Sequence, residues 1–370
     1  MSKWITKPLG ELATYINGRA FKPEDWKNSG VPIIRIENLN NPNAVYNYFQ
    51  GVIEDQYKVE NGDILVSWSA SLDTYVWNNG PAVLNQHIFK VVPNEKEVTK
   101  DFLFFLLKKA MKGLTDLVHG ATMKHVNRPV FEGFEVSFPK DLDHQKILAS
   151  SLTESIQEVD RARTAASIQL KEVDSLANAI IYDSLKSGTL VNYSLGEALN
   201  EVKNGIGASW KDYPVYGATR KGIALAKEPP GKNPQRYKPI VPGTVFYNPM
   251  RILIGSIAFA EDDVEDGITS PDYVVLKGKE GSVNSRWFYY WLRSPLGQQC
   301  INSLARGAVR ERMLFNRLAE GNIDLPDFTI QEKAADALKD LKQVRANLDK
   351  QYQEIIELPS RLLSNIFQEV

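Results

Sequence analysis

At 370 residues the chain is long enough for two domains with separate cores, and its makeup of 43% hydrophobic and 24% charged residues excludes a disordered or fibrous protein. A formal net charge of −1 speaks against a strongly basic nucleic-acid binder, and a single cysteine, Cys300, excludes a disulfide framework within the chain. No apolar run approaches the roughly 18 residues of a membrane span, and "MSKWITKPLG" lacks the charged-then-apolar layout of a signal peptide, so no membrane partner and a reducing cytoplasm are expected.

Residues 1–142 are rich in glycine, proline, asparagine and aromatics, with short alternating runs such as "GDILVSW" and "HIFKVVP" that read as strands. A mostly β domain with a few helices is expected there. The run "FLFFLL", Phe102 to Leu107, could serve as a base-stacking platform, but its continuous apolar face on a helix favours the core. Residues 143–190 nearly lack glycine and proline and place Leu148, Leu152, Ile156, Val159, Ala166, Leu170, Val173, Ala177 and Ile180 three or four apart, a coiled-coil seam. Asp141 or Asp143 would cap this helix and Gly188 would stop it. Residues 191–327 return to the β-like pattern with "GTVFYNP" and "DYVVLKG", and "WFYYWL", Trp287 to Leu292, again reads as core. Residues 328–370 carry a second seam through Leu338, Leu341, Leu348, Tyr352, Ile355, Leu362 and Ile366. Thr329 and Glu332 in "TIQE" read as its capping box, and Pro359 is expected to kink it.

The two halves repeat. "LGELATYINGRAF" from Leu9 matches "LGEALNEVKNGIGAS" from Leu195; Gly120-Ala121 matches Gly307-Ala308; Pro139 matches Pro326. The offsets of 186, 187 and 187 residues run the length of the chain and mark a duplicated unit. By contrast "RIENLNNPNAVYNYFQG" and "GATRKGIALAKEPPGKNPQ" share little but polarity, so the frame is common and the loops differ. Two helices of about 60 Å at ~1.5 Å per residue are too long to pack only on their own domains. The expected fold class is α+β: two similar, mostly β domains separated by two long helices in an antiparallel coiled coil, with internal pseudo-two-fold symmetry. Such an object matches the symmetry of a DNA duplex, and a rod of that length spans at most about 17 base pairs.

In these passages and their order, domain, helix, domain, helix, the whole chain resembles the specificity subunit of type I restriction-modification systems. The resemblance implies two target-recognition domains, 1–142 and 191–327, that read the halves of a bipartite double-stranded DNA site. It implies two spacer helices, 143–190 and 328–370, that dock two methylation subunits, here through Leu148, Leu152, Ile156, Leu338, Leu341 and Leu348, with restriction subunits added through the complex. It also implies that S-adenosylmethionine, ATP and magnesium belong to those partners and that this chain is not an enzyme. The residues agree, since no Walker-type loop or Gly-x-Gly-x-x-Gly turn is present. "FYNPMR" only superficially resembles an amino-methyltransferase motif, and His87, His119, His125 and His144 lack metal-ligand spacing.

Phosphate contacts are expected from lysine and arginine in loops, and base contacts from side chains that offer paired hydrogen bonds. In the first domain these are Arg19, Lys22, Arg35, Asn38, Asn40, Ser69, Gln86, Lys124, His125 and Asn127. In the second they are Thr219, Arg220, Lys221, Lys232, Asn248, Arg251, Arg306, Arg310 and Arg312. Residues 191–326 hold 17 basic against 14 acidic side chains, so the second domain is the more basic one. The competing reading is a coiled-coil adaptor that binds protein without reading DNA; the near-neutral net charge is compatible with it and also with a DNA reader whose partners add most of the phosphate contacts.

Overall fold

The computed structural model describes residues 3–41, 43–69, 71–119, 126–305 and 312–367. The chain divides into two compact units, Met1–Thr164 with Gln353–Val370, and Ala165–Tyr352.

In the first unit β1 (Trp4–Pro8), α1 (Leu9–Leu12) and β2 (Ala13–Asn17) lead into β3 (Val31–Ile34), α2 (Ile36–Asn40), β4 (Asn47–Phe49) and β5 (Lys58–Val59). Then come β6 (Ile64–Ser67), β7 (Asp73–Val76), β8 (Ala82–Leu84), β9 (Ile88–Pro93), α3 (Lys100–His119), α4 (Arg128–Glu132), β10 (Glu135–Pro139) and α5 (Leu142–Lys186). One sheet has the order β2-β9-β6-β7, a second β4-β3-β8-β5, and β1 pairs with β10. The aromatic run of α3 is core: Phe102, Leu103, Phe105, Leu106 and Leu107 are buried with Leu9, Tyr15, Phe89 and Phe131.

The second unit repeats the frame. β11 (Val191–Ser194), α6 (Leu195–Ala198), β12 (Leu199–Glu201), β13 (Tyr216–Thr219), β14 (Gly222–Leu225), β15 (Lys238–Ile240), β16 (Val245–Tyr247) and β17 (Ile257–Phe259) come first. β18 (Gly267–Thr269), β19 (Val274–Gly278), α7 (Ser285–Arg293), α8 (Pro295–Leu304), α9 (Phe315–Leu318), β20 (Asn322–Leu325) and α10 (Phe328–Ile366) follow. The sheet β12-β19-β16-β17 has the topology of β2-β9-β6-β7, and β11 pairs with β20 as β1 does with β10. What differs is the insertion: four strands in one sheet in the first unit, two separate two-stranded ribbons, β13-β14 and β15-β18, in the second. Trp287, Phe288, Trp291 and Leu292 are buried, and Trp287 Nε1 donates to Ser184 Oγ of α5 at 2.9 Å.

Within the second unit α5 and α10 run antiparallel. Asp174 pairs with Arg345; Ile181, two turns further along α5, enters the same core as Leu338, two turns earlier in α10. Within the first unit Leu148, Leu152 and Ile156 of α5 share a core with Leu362, Leu363 and Ile366 of α10. α5 starts on Asp141, whose side chain accepts from Asp143 N at 3.0 Å, and ends before Gly188 at φ 88°. The start of α10 differs from the expected capping box. Its cap is Asp327, whose carbonyl accepts from Gln331 N at 3.1 Å, and Thr329 already lies inside the helix. Pro359 interrupts the ladder chemically, yet α10 continues through it to Ile366.

Each joint between domain and helix is closed by a buried glutamine. Gln145 Nε2 donates to Pro139 O at 2.8 Å and to Glu97 O at 3.0 Å, while its Oε1 accepts from Thr99 N at 2.8 Å. Gln331 does the same with Pro326 O at 2.9 Å, Ser282 O at 3.0 Å and Asn284 N at 2.9 Å. The only sequence signal for them was one glutamine at matched positions in "DHQKI" and "TIQEK".

Candidate nucleic-acid interface

At the rim of the first unit, sheet order brings three separate loops together. The Asn17-Gly18-Arg19 turn ends β2, Trp68-Ser69 ends β6, and Asn85-Gln86-His87 precedes β9. Arg19 N donates to Leu84 O at 2.9 Å, Gln86 N to Arg19 O at 2.9 Å, and Trp68 N to His87 O at 3.2 Å. Gly18 makes this approach possible, because a Cβ there would lie 2.0 Å from Asn85 O. Its repeat counterpart Gly205 is under the same constraint, 2.4 Å from Gln235 O. Trp68 packs edge-on against His87 at 4.9 Å and its Nε1 donates to Asn17 Oδ1 at 3.3 Å. His87 is held at φ 71°, a left-handed conformation rare for a residue with a side chain. Its Nδ1 and Asn85 Oδ1 are buried without a hydrogen-bond partner among the described residues.

The expected readers of the first domain sort by what they already do. Arg19 lies over Phe21 and Phe49, 5.1 and 5.0 Å from the ring centroids, with Asp25 3.6 Å away, so its guanidinium is oriented. Gln86 is exposed beside it, and Arg35 starts where Ile34 O accepts from Asn85 N at 3.1 Å. Arg19 and Gln86 therefore meet at the rim, whereas the Arg35 guanidinium is engaged elsewhere, reaching Glu37 at 3.2 Å and Val45 O at 3.4 Å and lying 5.9 Å from the Trp26 ring centroid. Lys22 is exposed on the neighbouring loop. Asn38 is buried and committed to its own turn, accepting from Arg35 N at 3.1 Å and donating to Val45 O at 3.4 Å. Asn40 accepts from the Tyr75 hydroxyl at 2.6 Å, and Ser69 is buried. Asn127 caps α4 by accepting from Val130 N at 3.0 Å. Its neighbour Arg128 reaches Tyr15 O at 3.0 Å and lies over Phe89. Lys124 and His125 lie outside the described residues, as do Arg306 and Arg310.

In the second unit the centre is the loop after β16. Asn248 Oδ1 accepts from Met250 N at 3.0 Å, and Pro249 O accepts from Met313 N at 3.1 Å, which places Arg312 at this loop, paired to Asp272 at 2.9 Å. Arg220 Nε donates to Ile254 O at 2.9 Å, and Arg293 holds Arg220 O at 2.7 Å. Arg220, Asn248, Arg251 and Arg312 are thus gathered, with Lys221 exposed beside them on a turn that Thr219 Oγ1 closes to Gly222 O at 2.9 Å. Met250, Leu253 and Ile254 are exposed on the same loop, apolar residues that the sequence reading passed over. Lys232 is exposed on a different loop. Burial holds the Lys238 ammonium below the usual lysine value, and its Nζ donates to Tyr273 O at 2.7 Å.

Along the helices, Leu152 and Leu338 are buried within their own units, and Leu148 and Ile156 pack on the same core as Leu152. Leu341 and Leu348 are partly exposed. Large apolar residues that the helices leave to solvent are Ile147, Ile168, Leu176, Val344, Ile356 and Leu358. Among the described residues no group of three or more His, Cys, Asp or Glu side chains could hold a metal, and no helix is long and apolar enough to cross a membrane.

Residues 1–170 match the family model described as type I restriction modification DNA specificity domain. The type I restriction enzyme EcoBI specificity subunit of Escherichia coli is 20% identical over 98% of this chain and 84% of its own length. Among solved structures, the type I restriction-modification S subunit from M. genitalium covers all of this chain and 97% of its own, at 15% identity and a TM-score of 0.54. A chain from a study of complex assembly and conformational transition in the type I R-M system covers 98% of this chain and 97% of its own, at 14% identity and a TM-score of 0.68. The structural likenesses, at 14 and 15% identity, carry the fold alone. Residues 1–170 thus match the type I restriction modification DNA specificity domain, and over nearly its whole length the chain is similar to a type I specificity subunit.

Proposed function

We propose that each unit reads one half of a bipartite double-stranded DNA site, and that α5 and α10 dock two methylation subunits, through which restriction subunits join. The observation that carries this reading is one frame built twice with different polar rims: Arg19 and Gln86 beside strained His87 in one, Arg220, Asn248, Arg251 and Arg312 in the other. Gln86 and Asn248 are the base readers and the arginines hold phosphates or guanine edges. Lys22, Lys221 and Lys232 add phosphate contacts from exposed positions, and Lys124, His125, Arg306 and Arg310 are further DNA contacts in this reading. Asn38, Asn40, Ser69, Thr219 and Asn127 shape the loops that present these groups. A docked protein meets Ile147, Ile168, Leu176, Val344 and Ile356, since Leu152 and Leu338 are used inside the chain. S-adenosylmethionine, ATP and magnesium are held by the partners, and the assembly works in the cytoplasm.

The test is co-expression with the methylation subunits and single-base sequencing of the methylated DNA. A bipartite motif is expected, and exchange of residues 191–326 for those of a relative should change one half only. A motif indifferent to that exchange leaves the adaptor reading. Arg220→Ala and Arg251→Ala should each flatten the dependence of log K on log salt by about one unit, as loss of one phosphate contact does.

A further inference from the structure

A cleft that charge closes in the second unit stands open in the first. Beside β17, Glu261 is buried; Arg286 Nε and one terminal nitrogen hold its carboxylate at 2.9 and 2.8 Å, and Lys342 reaches its other oxygen at 3.2 Å. Asp262 joins through Lys339 at 2.7 Å, and the Arg286 guanidinium lies over Phe259 at 5.3 Å. Backbone pairing fixes the equivalent residues of the first unit. Trp77 bonds Gly62 and Asp63 as Ala260 bonds Gly243 and Thr244, so Asn78 stands where Glu261 does. The two glutamine clamps align Thr99 with Asn284 and Gln145 with Gln331, which puts Asp101 at the place of Arg286, Thr153 at that of Lys339 and Ile156 at that of Lys342. None of these charges is kept.

In their place lies a cavity of about 860 Å³ with Phe104, Phe105, Ile156 and Leu363 among its lining residues. Lys100, Lys108, Lys109 and Lys112 border it, against two acids, Asp73 and Asp101. Asp73 is already paired with Lys108 at 2.8 Å, and Lys100 and Lys112 have no ion pair among the described residues. An apolar floor under surplus ammonium groups suits neither bare water nor a row of phosphates, which would leave the floor uncovered.

We propose that this cleft seats a segment of a partner protein that presents a carboxylate beside an apolar side chain, the carboxylate meeting Lys100 and Lys112 and the apolar group covering the floor. The partner used to test this, a methylation subunit, rests on the functional reading above. The full chain is prepared with its methylation subunits, and p-benzoylphenylalanine at Phe104 is photo-crosslinked and the adduct sequenced. The expected adduct is a methylation-subunit segment with Asp or Glu next to Leu, Ile or an aromatic residue. Lys100→Glu with Lys112→Glu, both exposed, should weaken the subunit association at least tenfold. The triple change Asn78→Glu, Asp101→Arg, Ile156→Lys, which installs the second unit's network, should do the same. Unchanged association in the lysine pair, or a loss confined to DNA affinity, overturns the proposal. Absence of any association by the unaltered chain overturns the functional reading together with it.

Discussion

Replacement of Gln145 by leucine tests whether the joint between the first domain and its helix depends on the buried clamp. Leucine keeps most of the volume but supplies neither donor nor acceptor, so Thr99 N–H and the carbonyls of Glu97 and Pro139 lose partners at 2.8, 3.0 and 2.8 Å. Three bonds at about 1 kcal/mol net give a floor of about 3 kcal/mol, and stranding buried groups at up to about 2 kcal/mol each raises the loss to about 6 kcal/mol. Hydrogen exchange read on peptides around Thr99 and Pro139 should show opening more favourable by that amount. Gln331→Leu should produce a loss of equal size around Asn284 and Pro326, because its three distances match within 0.1 Å. Lys146→Ala, next to the clamp but in an exposed pair with Asp143, should change stability by less than about 0.5 kcal/mol. A loss below about 1 kcal/mol in either glutamine variant would refute the clamp as the joint.

Burial pushes the phenols of Tyr15 and Tyr247 well above their ordinary value of 10.0. The unfolded chain releases these protons near pH 10 while the folded chain retains them, so their contribution is full below that pH and falls as pH rises, by about 1.4 kcal/mol per unit for each. Urea unfolding from pH 9 to 11 should show this slope, and Tyr15→Phe with Tyr247→Phe should flatten it; an unchanged slope would count against the cause. Glu261→Gln leaves the Arg286 guanidinium, 11% exposed, with Asp262 at 3.2 Å as its remaining carboxylate, and the expected loss is about 2 kcal/mol in thermal unfolding. Asp174→Asn, in the exposed pair with Arg345, should lose less than about 1 kcal/mol. Gly18→Ala forces a Cβ against Asn85 O and should destabilise by about 3 kcal/mol and weaken DNA binding, whereas an unaffected variant would dissolve the rim described here.

Periodicity made the helices legible, and constant offsets made the duplicated frame legible, because both are local patterns that survive without knowledge of packing. The convergence of Arg19, Trp68 and Gln86 was not legible, since the order β2-β9-β6-β7 makes neighbours of strands far apart in the chain. Asn38 shows the limit for polar residues: an asparagine that reads a base and one that closes a turn look alike until burial and partners are known. The cap of α10 was misplaced by two residues for a similar reason, as Asp327 and Thr329 are both good cap formers. The different insertions, one sheet against two ribbons, left no pattern strong enough to read.

Both clamping glutamines bind main-chain atoms alone, the carbonyls of Pro139, Glu97, Pro326 and Ser282 and the amides of Thr99 and Asn284. Such a fastening is blind to side-chain identity and requires only that the strands keep their course. Substitutions of side chains in the rim loops therefore leave the bonds of the fastening in place. A protein assembled this way can change what it recognises by small steps, each tested without risk to the frame that carries it.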